Sequence, residues 1–237
     1  MQCVILAGGL GTRMRPLTDA CPKTLLPVRG RPFAWHQLHW LAAQGITEVV
    51  YSIGHQGDQI RQFWTEEPPP VSAIHYVDEG EVLLGTAGAL RLARKQGVLD
   101  ERFFVIYGDS FLPIEFKPVW CAFESSGRPA LMTILRNRGR WDRSNVFYEP
   151  GRAMLYDKTG APGMQYIDYG LSCFCRDVFD ESIPADLAVL FRELSLQNRL
   201  AAFEVHERFY EIGSPEGLKD LELYLEEKLA ASYTPTA

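Results

Sequence analysis

The sequence predicts an α/β fold: three layers, with a mostly parallel, mixed sheet covered by helices on both faces. Three observations carry this expectation. Short apolar runs of strand length alternate with segments whose apolar residues recur at helical spacing. Strands separated by such crossovers pair in parallel and are buried on both sides. The third observation is composition: 237 residues, 46% hydrophobic and 23% charged, suffice for an ordinary core and are too apolar for a disordered chain. By length alone the chain is one large domain or two small ones.

The elements follow in order. Cys3–Ala7 is a short apolar run ending in Gly8-Gly9, as a buried strand would. Phe33–Gln44 follows Pro32, places Ala34, Leu38, Leu41 and Ala42 on one side, and stops at Gly45, which makes it a helix. Glu48–Ile53 is a second strand and Asp58–Trp64 a short helix, closed by the acidic, proline-rich loop 66–70. Ala73–Val77 is a third strand. Thr86–Arg94 is a helix entered through Gly85 and left at Gly97. Phe103–Tyr107 is a fourth strand, running into Gly108-Asp109-Ser110. After the strand Ala130–Leu135 the rhythm changes: residues 136–163 are polar, hold six Gly or Pro and five Arg, and read as loops and hairpins. Gln165–Cys175 is a long strand, Asp186–Ser195 a helix, and Phe203–Val205 and Phe209–Ile212 are short strands. Ser214-Pro215-Glu216 opens a final helix with a capping serine, a first-turn proline and an early acid. No internal repeat and no hexapeptide-type tail is present. The plan is one α/β domain, 1–237, with an irregular insertion near residues 136–175.

Charge narrows the function classes. Lys plus Arg number 24 against 30 Asp plus Glu, a net charge of −6, which argues against a general nucleic-acid binder. No apolar stretch is long enough to span a bilayer. The start has no basic n-region and runs straight into a glycine loop, so a signal peptide is not expected. Five cysteines, an odd number, then read as reduced thiols in a cytoplasmic protein. The charge is unevenly spread: residues 1–31 sum to +4 and residues 204–230 to −5. A basic island in an acidic chain suits a small, highly charged anion.

The most informative stretch is Leu6-Ala7-Gly8-Gly9-Leu10-Gly11-Thr12-Arg13-Met14-Arg15-Pro16-Leu17-Thr18, followed by Pro22-Lys23. Glycines directly after a strand let backbone N–H groups turn toward a phosphate; by themselves they read as an ordinary turn. The P-loop pattern is absent, because no Gly-Lys-Ser/Thr follows. The dinucleotide fingerprint fails as well: Met14 stands where its third Gly or Ala belongs, and no acid sits at the expected later strand end. Asp109 follows the fourth strand, and ligands of open α/β sheets sit at such carboxyl ends. A carboxylate there can hold Mg²⁺, although Gly-Asp-Ser alone is also a plain turn.

Gly8-Gly9-Leu10-Gly11-Thr12-Arg13, Pro16-Leu17-Thr18, Pro22-Lys23 and Leu26-Pro27-Val28 together strongly resemble the opening signature of the sugar-1-phosphate nucleotidylyltransferases. The resemblance continues at Gly85-Thr86-Ala87-Gly88-Ala89-Leu90, Gly108-Asp109, Tyr156-Asp157-Lys158, Ile167-Asp168-Tyr169-Gly170 and Ile212-Gly213-Ser214-Pro215-Glu216, covering nearly the whole chain. It implies a Rossmann-like nucleotide-diphospho-sugar transferase fold, with a nucleotide-binding part at about 1–135, a sugar-binding insertion at about 136–205 and a C-terminal helix at about 215–230. It also implies the reaction of an NTP with a sugar 1-phosphate to give an NDP-sugar and pyrophosphate. That chemistry brings two anions together, so it needs positioning and charge neutralisation.

On this resemblance Arg13 lies along the β- and γ-phosphates and Lys23 reaches the α-phosphate. Asp109 completes the catalytic set and binds Mg²⁺ together with Glu211. Leu6, Ala7, Gly8, Gly9, Gly11 and Thr12 bind the nucleotide, and Gly85, Thr86 and Gly88 make room for its base. Asn145, Asp157, Lys158, Asp168 and Gly170 contact the sugar phosphate. The departures from the family pattern are Glu211 where Asp is usual, Asp157 for Glu, Asp168 for Asn, and Asn145 for Gly. The short length, Gly30-Arg31-Pro32-Phe33 and residues 51–57 look most like heptose- or mannose-1-phosphate guanylyltransferases, although uridylyl and cytidylyl relatives share the framework. The partners are therefore an NTP and a sugar 1-phosphate, with neither nucleic acid nor membrane; a homo-oligomer is compatible with the sequence. A non-catalytic nucleotide-sugar-binding regulator is the competing reading, motivated by Glu211 and the altered sugar-side positions. A glycosyltransferase is disfavoured, since no Asp-x-Asp surrounds Asp109. His36 and His39 lack further ligands for a metal, Cys173-x-Cys175 reads as core packing, and Arg136, Arg138 and Arg140 read as solvated.

Overall fold

The computed structural model describes residues 1–80, 82–151 and 154–232, with side chains through Lys228. Its centre is a seven-stranded sheet of β1 (Gln2–Leu6), β2 (Glu48–Ile53), β3 (Ala73–Asp78), β4 (Arg102–Tyr107), β5 (Ala130–Leu135), β6 (Ile167–Cys175) and β7 (Leu200–Val205). The spatial order is β7-β5-β6-β4-β1-β2-β3. Neighbours are parallel except around β6, which is antiparallel to both β4 and β5. The helices are α1 (Phe33–Ala43), α2 (Gly57–Glu66), α3 (Thr86–Lys95), α4 (Phe116–Ser126), α5 (Leu187–Leu196) and α6 (Pro215–Ser232).

Strand alternation sorts the core into two layers. Cys3, Ile5, Val49, Tyr51, Phe104 and Ile106 pack with Leu38 of α1, Ile60 of α2 and Val119 of α4. Val4, Val50, Phe103 and Val105 pack on the opposite face with Leu90 of α3 and Phe191 of α5. Both faces are apolar because both are covered, as a largely parallel sheet requires. The expected three-layer α/β fold is the observed one.

Two differences from the sequence reading have physical causes. Helix α4 is not evident in the pattern, because Phe116-Lys117-Pro118-Val119-Trp120-Cys121 is poor in strong helix formers. Pro118 is tolerated in the first turn, and burial of Phe116, Val119 and Phe123 supplies what propensity does not. Within 136–175, β6 belongs to the main sheet, so the irregular part of that span is residues 136–166. In that stretch Val146–Phe147 pairs antiparallel with Leu155–Tyr156.

Helix α6 begins as its sequence indicates: Ser214 Oγ accepts the Gly217 N–H at 3.1 Å. Its Leu221 is fully buried in a satellite cluster with Met14, Leu26, Val28, Phe33, Phe111 and Ile212. The helix thereby ties the loop after β1 to a two-residue antiparallel pair, Ser110–Phe111 with Tyr210–Glu211.

Candidate active site

The carboxyl ends of β1, β3 and β4 surround a cavity of about 280 Å³ lined by Leu6, Ala7, Gly8, Gly9, Lys23, Glu79, Leu83, Gly85, Thr86, Tyr107 and Asp109, among others. Just beyond it, Gly11, Thr12, Arg13, Lys23 and Gly213 line a smaller hollow of about 190 Å³. The chain leaves β1 with the Ala7 N–H on Ser52 O (2.8 Å) and then turns at Gly11, whose φ of +61° is left-handed. Thr18 Oγ1 and the Met14 N–H both donate to Gly11 O at 2.9 Å, which fixes the loop as it enters the single helical turn Thr12–Met14.

Charged groups from four distant segments converge here. Lys23 Nζ donates to Asp109 Oδ2 at 2.5 Å, with the two side chains only 22% and 15% exposed. The Arg13 guanidinium and Asp109 Oδ2 both pack against Gly213, at 3.2 and 3.5 Å from where a Cβ would stand. Glu211 faces Ser110 across the short antiparallel pair, and the next N–H, that of Ile212, donates to Asp109 O at 2.9 Å. Although Glu211 keeps solvent access at the rim, the packing around its carboxyl and the nearby Asp109 charge push its pKa up, to about 7. Lys23 and Arg13 pull it the other way.

Among the described residues no three His, Cys, Asp or Glu side chains form a ready-made cation cage. Asp109 and Glu211 nevertheless suit a small divalent ion. Two mutually repelling carboxylates, one already holding an ammonium group, are the oxygen donors that Mg²⁺ takes when phosphates supply the rest.

The remaining expected residues fall into two linked groups. Gly85 and Thr86 line the cavity, whereas Gly88 does not: its N–H and that of Ala87 donate to Ala185 O, capping α3 from within the protein. Thr86 Oγ1 accepts the Leu187 N–H at 2.8 Å. Lys158 Nζ pairs with Asp186 Oδ2 at 2.9 Å. Burial opposes charge on Asp186, yet the Ala188 N–H and the Lys158 ammonium hold its pKa below the usual range.

In the second group, Asn145 Oδ1 accepts the Asp168 N–H and Asn145 O accepts the Asp157 N–H, both at 2.9 Å. Asp168 Oδ1 accepts the Gly170 N–H at 3.0 Å, inside a register shift of β6 between Asp168 and Ser172. Bulges of this kind re-aim side chains near functional sites. Burial pushes the Asp168 carboxyl up to about 6 against the opposing pull of the Gly170 N–H. Its charge, with those of Asp186 and Asp109, acts on Tyr107 in the cavity lining.

Sequence reasoning missed Glu79, Tyr107 and Asp186. Glu79 was findable by the logic that selected Asp109, since it follows the end of a parallel strand. Its Oε1 accepts from Ser52 Oγ (2.9 Å), its Oε2 from the Leu84 N–H (2.8 Å), and Oε1 lies 2.7 Å from where a Cβ on Gly8 would stand. Asp186 carries an N-cap signature, but nothing local indicates that Lys158 reaches it.

Opposed charges gathered beside a glycine loop, at the carboxyl ends of parallel strands, define a nucleotide-handling α/β protein. The chain belongs to the nucleotidyl transferase family, whose pattern matches residues 2–142. It is 27% identical over 225 residues to a mannose-1-phosphate guanyltransferase of Gibberella zeae, covering 91% of this chain and 62% of that protein. It is 26% identical over 223 residues, with the same coverage, to mannose-1-phosphate guanyltransferase beta-B of Xenopus laevis. The chain thus spans about three fifths of the length of these curated relatives. Its fold matches that of HddC from Yersinia pseudotuberculosis, with a TM-score of 0.76, 24% identity and coverage of 94% of this chain and 99% of that one. UDP-glucose pyrophosphorylase complexed with UDP-glucose also matches, with a TM-score of 0.76, 17% identity, and coverage of 96% and 98%. The fold is that of the nucleotide-diphospho-sugar transferases.

Proposed function

We propose that the chain is a Mg²⁺-dependent sugar-1-phosphate nucleotidylyltransferase that transfers a guanylyl group to mannose or heptose 1-phosphate, releasing pyrophosphate. The observation carrying this reading is the convergence of Arg13, Lys23 and Asp109 on the rim of a glycine loop. An oxygen of the sugar phosphate attacks the α-phosphorus as the bond to the bridging oxygen of the pyrophosphate breaks. Arg13, beside the smaller hollow, neutralises the charge that grows on the leaving pyrophosphate. Lys23, released from Asp109, neutralises the α-phosphate oxygens. Asp109 and Glu211 would hold Mg²⁺, which supplies further neutralisation of phosphate charge.

Glu79 supports guanine as the base. Each of its oxygens accepts one hydrogen bond in the fold and retains further acceptor capacity beside the cavity. Guanine presents adjacent N–H donors, which a carboxylate can pair. Asn145, Asp157, Lys158, Asp168 and Gly170 are the proposed sugar-phosphate contacts, with Asp168 accepting from a sugar hydroxyl. Sequence relatives named as mannose-1-phosphate guanyltransferases favour the same substrates. The reading goes with a cytoplasmic location, where nucleotide is abundant and the cysteines stay reduced.

The test is pyrophosphate release from a panel of GTP, ATP, UTP, CTP and dTTP with mannose, glucose and heptose 1-phosphates. Sustained Mg²⁺-dependent release from GTP with mannose or heptose 1-phosphate supports the reading in full. Nucleotide-sugar binding with no turnover across the panel would make the chain a regulator instead. Glu79→Gln is expected to lower the preference for GTP over the other nucleotides.

A further inference from the structure

Helix α1 presents a polar stripe to the chain segment that carries Asp109. Gln37, Trp40 and Gln44, spaced three and four residues apart at the end of one helix face, all bond to backbone between residues 107 and 116. Gln37 Nε2 donates to Tyr107 O (2.9 Å) and Ser110 O (2.8 Å). Trp40 Nε1 donates to Leu112 O (2.8 Å), and Gln44 Oε1 accepts the Phe116 N–H (3.2 Å). Gln37 brackets the Gly108-Asp109 turn from both sides.

Gln37 is 1% exposed, an unusual place for an amide. Among the described residues its Oε1 has no hydrogen-bond partner, which carries a desolvation cost that an apolar side chain would avoid. The reversed amide would turn that oxygen onto two carbonyl oxygens, so the bonding pattern fixes the orientation. The turn is held elsewhere by the Gly108 N–H on Leu6 O and by the Ile212 N–H on Asp109 O, both at 2.9 Å. Those bonds reach Gly108 from the glycine loop and Asp109 from the strand bearing Glu211. Among the described residues, Gln37 is the one side chain that bonds to both residues flanking the turn.

We infer that Gln37 is a positioning residue for the proposed nucleotidylyl transfer: through the carbonyls of Tyr107 and Ser110 it sets the direction of the Asp109 carboxylate. The inference rests on the function proposed above. It places no substrate contact on Gln37, whose effect is exerted wholly through the turn.

The test compares Gln37→Met, which keeps an unbranched side chain and removes both bonds, with Leu38→Ala. Leu38 is fully buried on the same helix but lies in the apolar core. Outer partners of metal-binding groups typically affect metal affinity or activity 10–100-fold. Gln37→Met should raise the Mg²⁺ concentration giving half-maximal rate about 10-fold or more, leave KM for the sugar phosphate near wild type, and speed amide exchange at residues 107–112 without metal. Excess Mg²⁺ should restore part of the lost rate. Leu38→Ala should lower Tm while leaving the Mg²⁺ requirement unchanged. A Gln37→Met protein with wild-type Mg²⁺ requirement and wild-type exchange would overturn the inference. If that variant does not fold, Gln37→Leu, which likewise removes both bonds, must show the same direction of change, and an unaltered Mg²⁺ requirement there would overturn it equally. A wild-type protein inactive with every nucleotide would defeat the functional reading instead, and amide exchange at 107–112 would still judge whether Gln37 holds the turn.

Discussion

At the scale of single residues, Lys23 has two partners to serve. In the resting site its ammonium holds Asp109; in the proposed reaction it must face the α-phosphate. Lys23→Ala should therefore reduce kcat by about 10²–10³, the usual cost of removing a donor aimed at developing charge. Its Tm should change little, which thermal denaturation beside a pyrophosphate assay would check. Wild-type turnover in that variant would remove Lys23 from the chemistry.

Asp168 makes a prediction with a definite sign. Its carboxyl is raised to about 6 in the fold by burial, so between the ordinary value for an unfolded Asp and pH 6 the native state holds the extra proton. Stability contributed by this group is then complete at low pH and is lost as pH rises through about 6. Asp168→Asn should accordingly stabilise the protein at pH 7.5 by about 2–3 kcal/mol and by almost nothing near pH 3, below both values, read from paired denaturation curves. The same substitution should raise KM for the sugar phosphate at pH 7.5. In wild type that KM should climb as pH falls through 6, and the part of the climb absent from the variant belongs to Asp168.

At the scale of elements, α6 sets the position of Glu211 by contact rather than by bonding. A Cβ on Gly217 would collide with Glu211 O, so no other residue fits unless helix or strand moves. Gly217→Ala should lower Tm and raise the Mg²⁺ requirement together, whereas Ser214→Ala should cost only about 1 kcal/mol as a lost cap. Equal effects of the two on the Mg²⁺ requirement would contradict this division.

Elements also show where the sequence is readable. Strands such as Glu48–Ile53 and helices such as α1 are written in apolar spacing and glycine stops, so their bounds come out within a residue or so. Helix α4 is not, because tertiary burial overrides the weak propensity of its residues. The glycine loop and the strand-end Asp109 are legible because they use local chemistry. Glu79 obeys the same rule but lies outside any quoted motif. Gln37 and Asp186 are silent in the sequence, since their partners are backbone groups or side chains many residues away.

At the scale of the whole molecule, the proposed nucleotide bridges the loop after β1, the end of β3 and the start of α3. Ligand that binds only the native state stabilises it by mass action, about 2.7 kcal/mol at a hundredfold excess over Kd. For a chain of this size that is a rise in Tm of roughly 5–10 °C. GTP with Mg²⁺ should give the largest shift among the five nucleotides, and an equal response to all five would argue against Glu79 as a reader of the base.

The reversed course of β6 has a consequence for how such a protein can diversify. Because this one strand runs against its neighbours, its beginning, not its end, reaches the rim where Asp109 sits. The residues proposed to meet the sugar therefore arrive on one continuous stretch, 145–170, separate from the segments that carry Arg13, Lys23 and Glu79. Grafting residues 136–170 from a relative should exchange acceptor selectivity as a cassette, leaving the choice of base to the host chain.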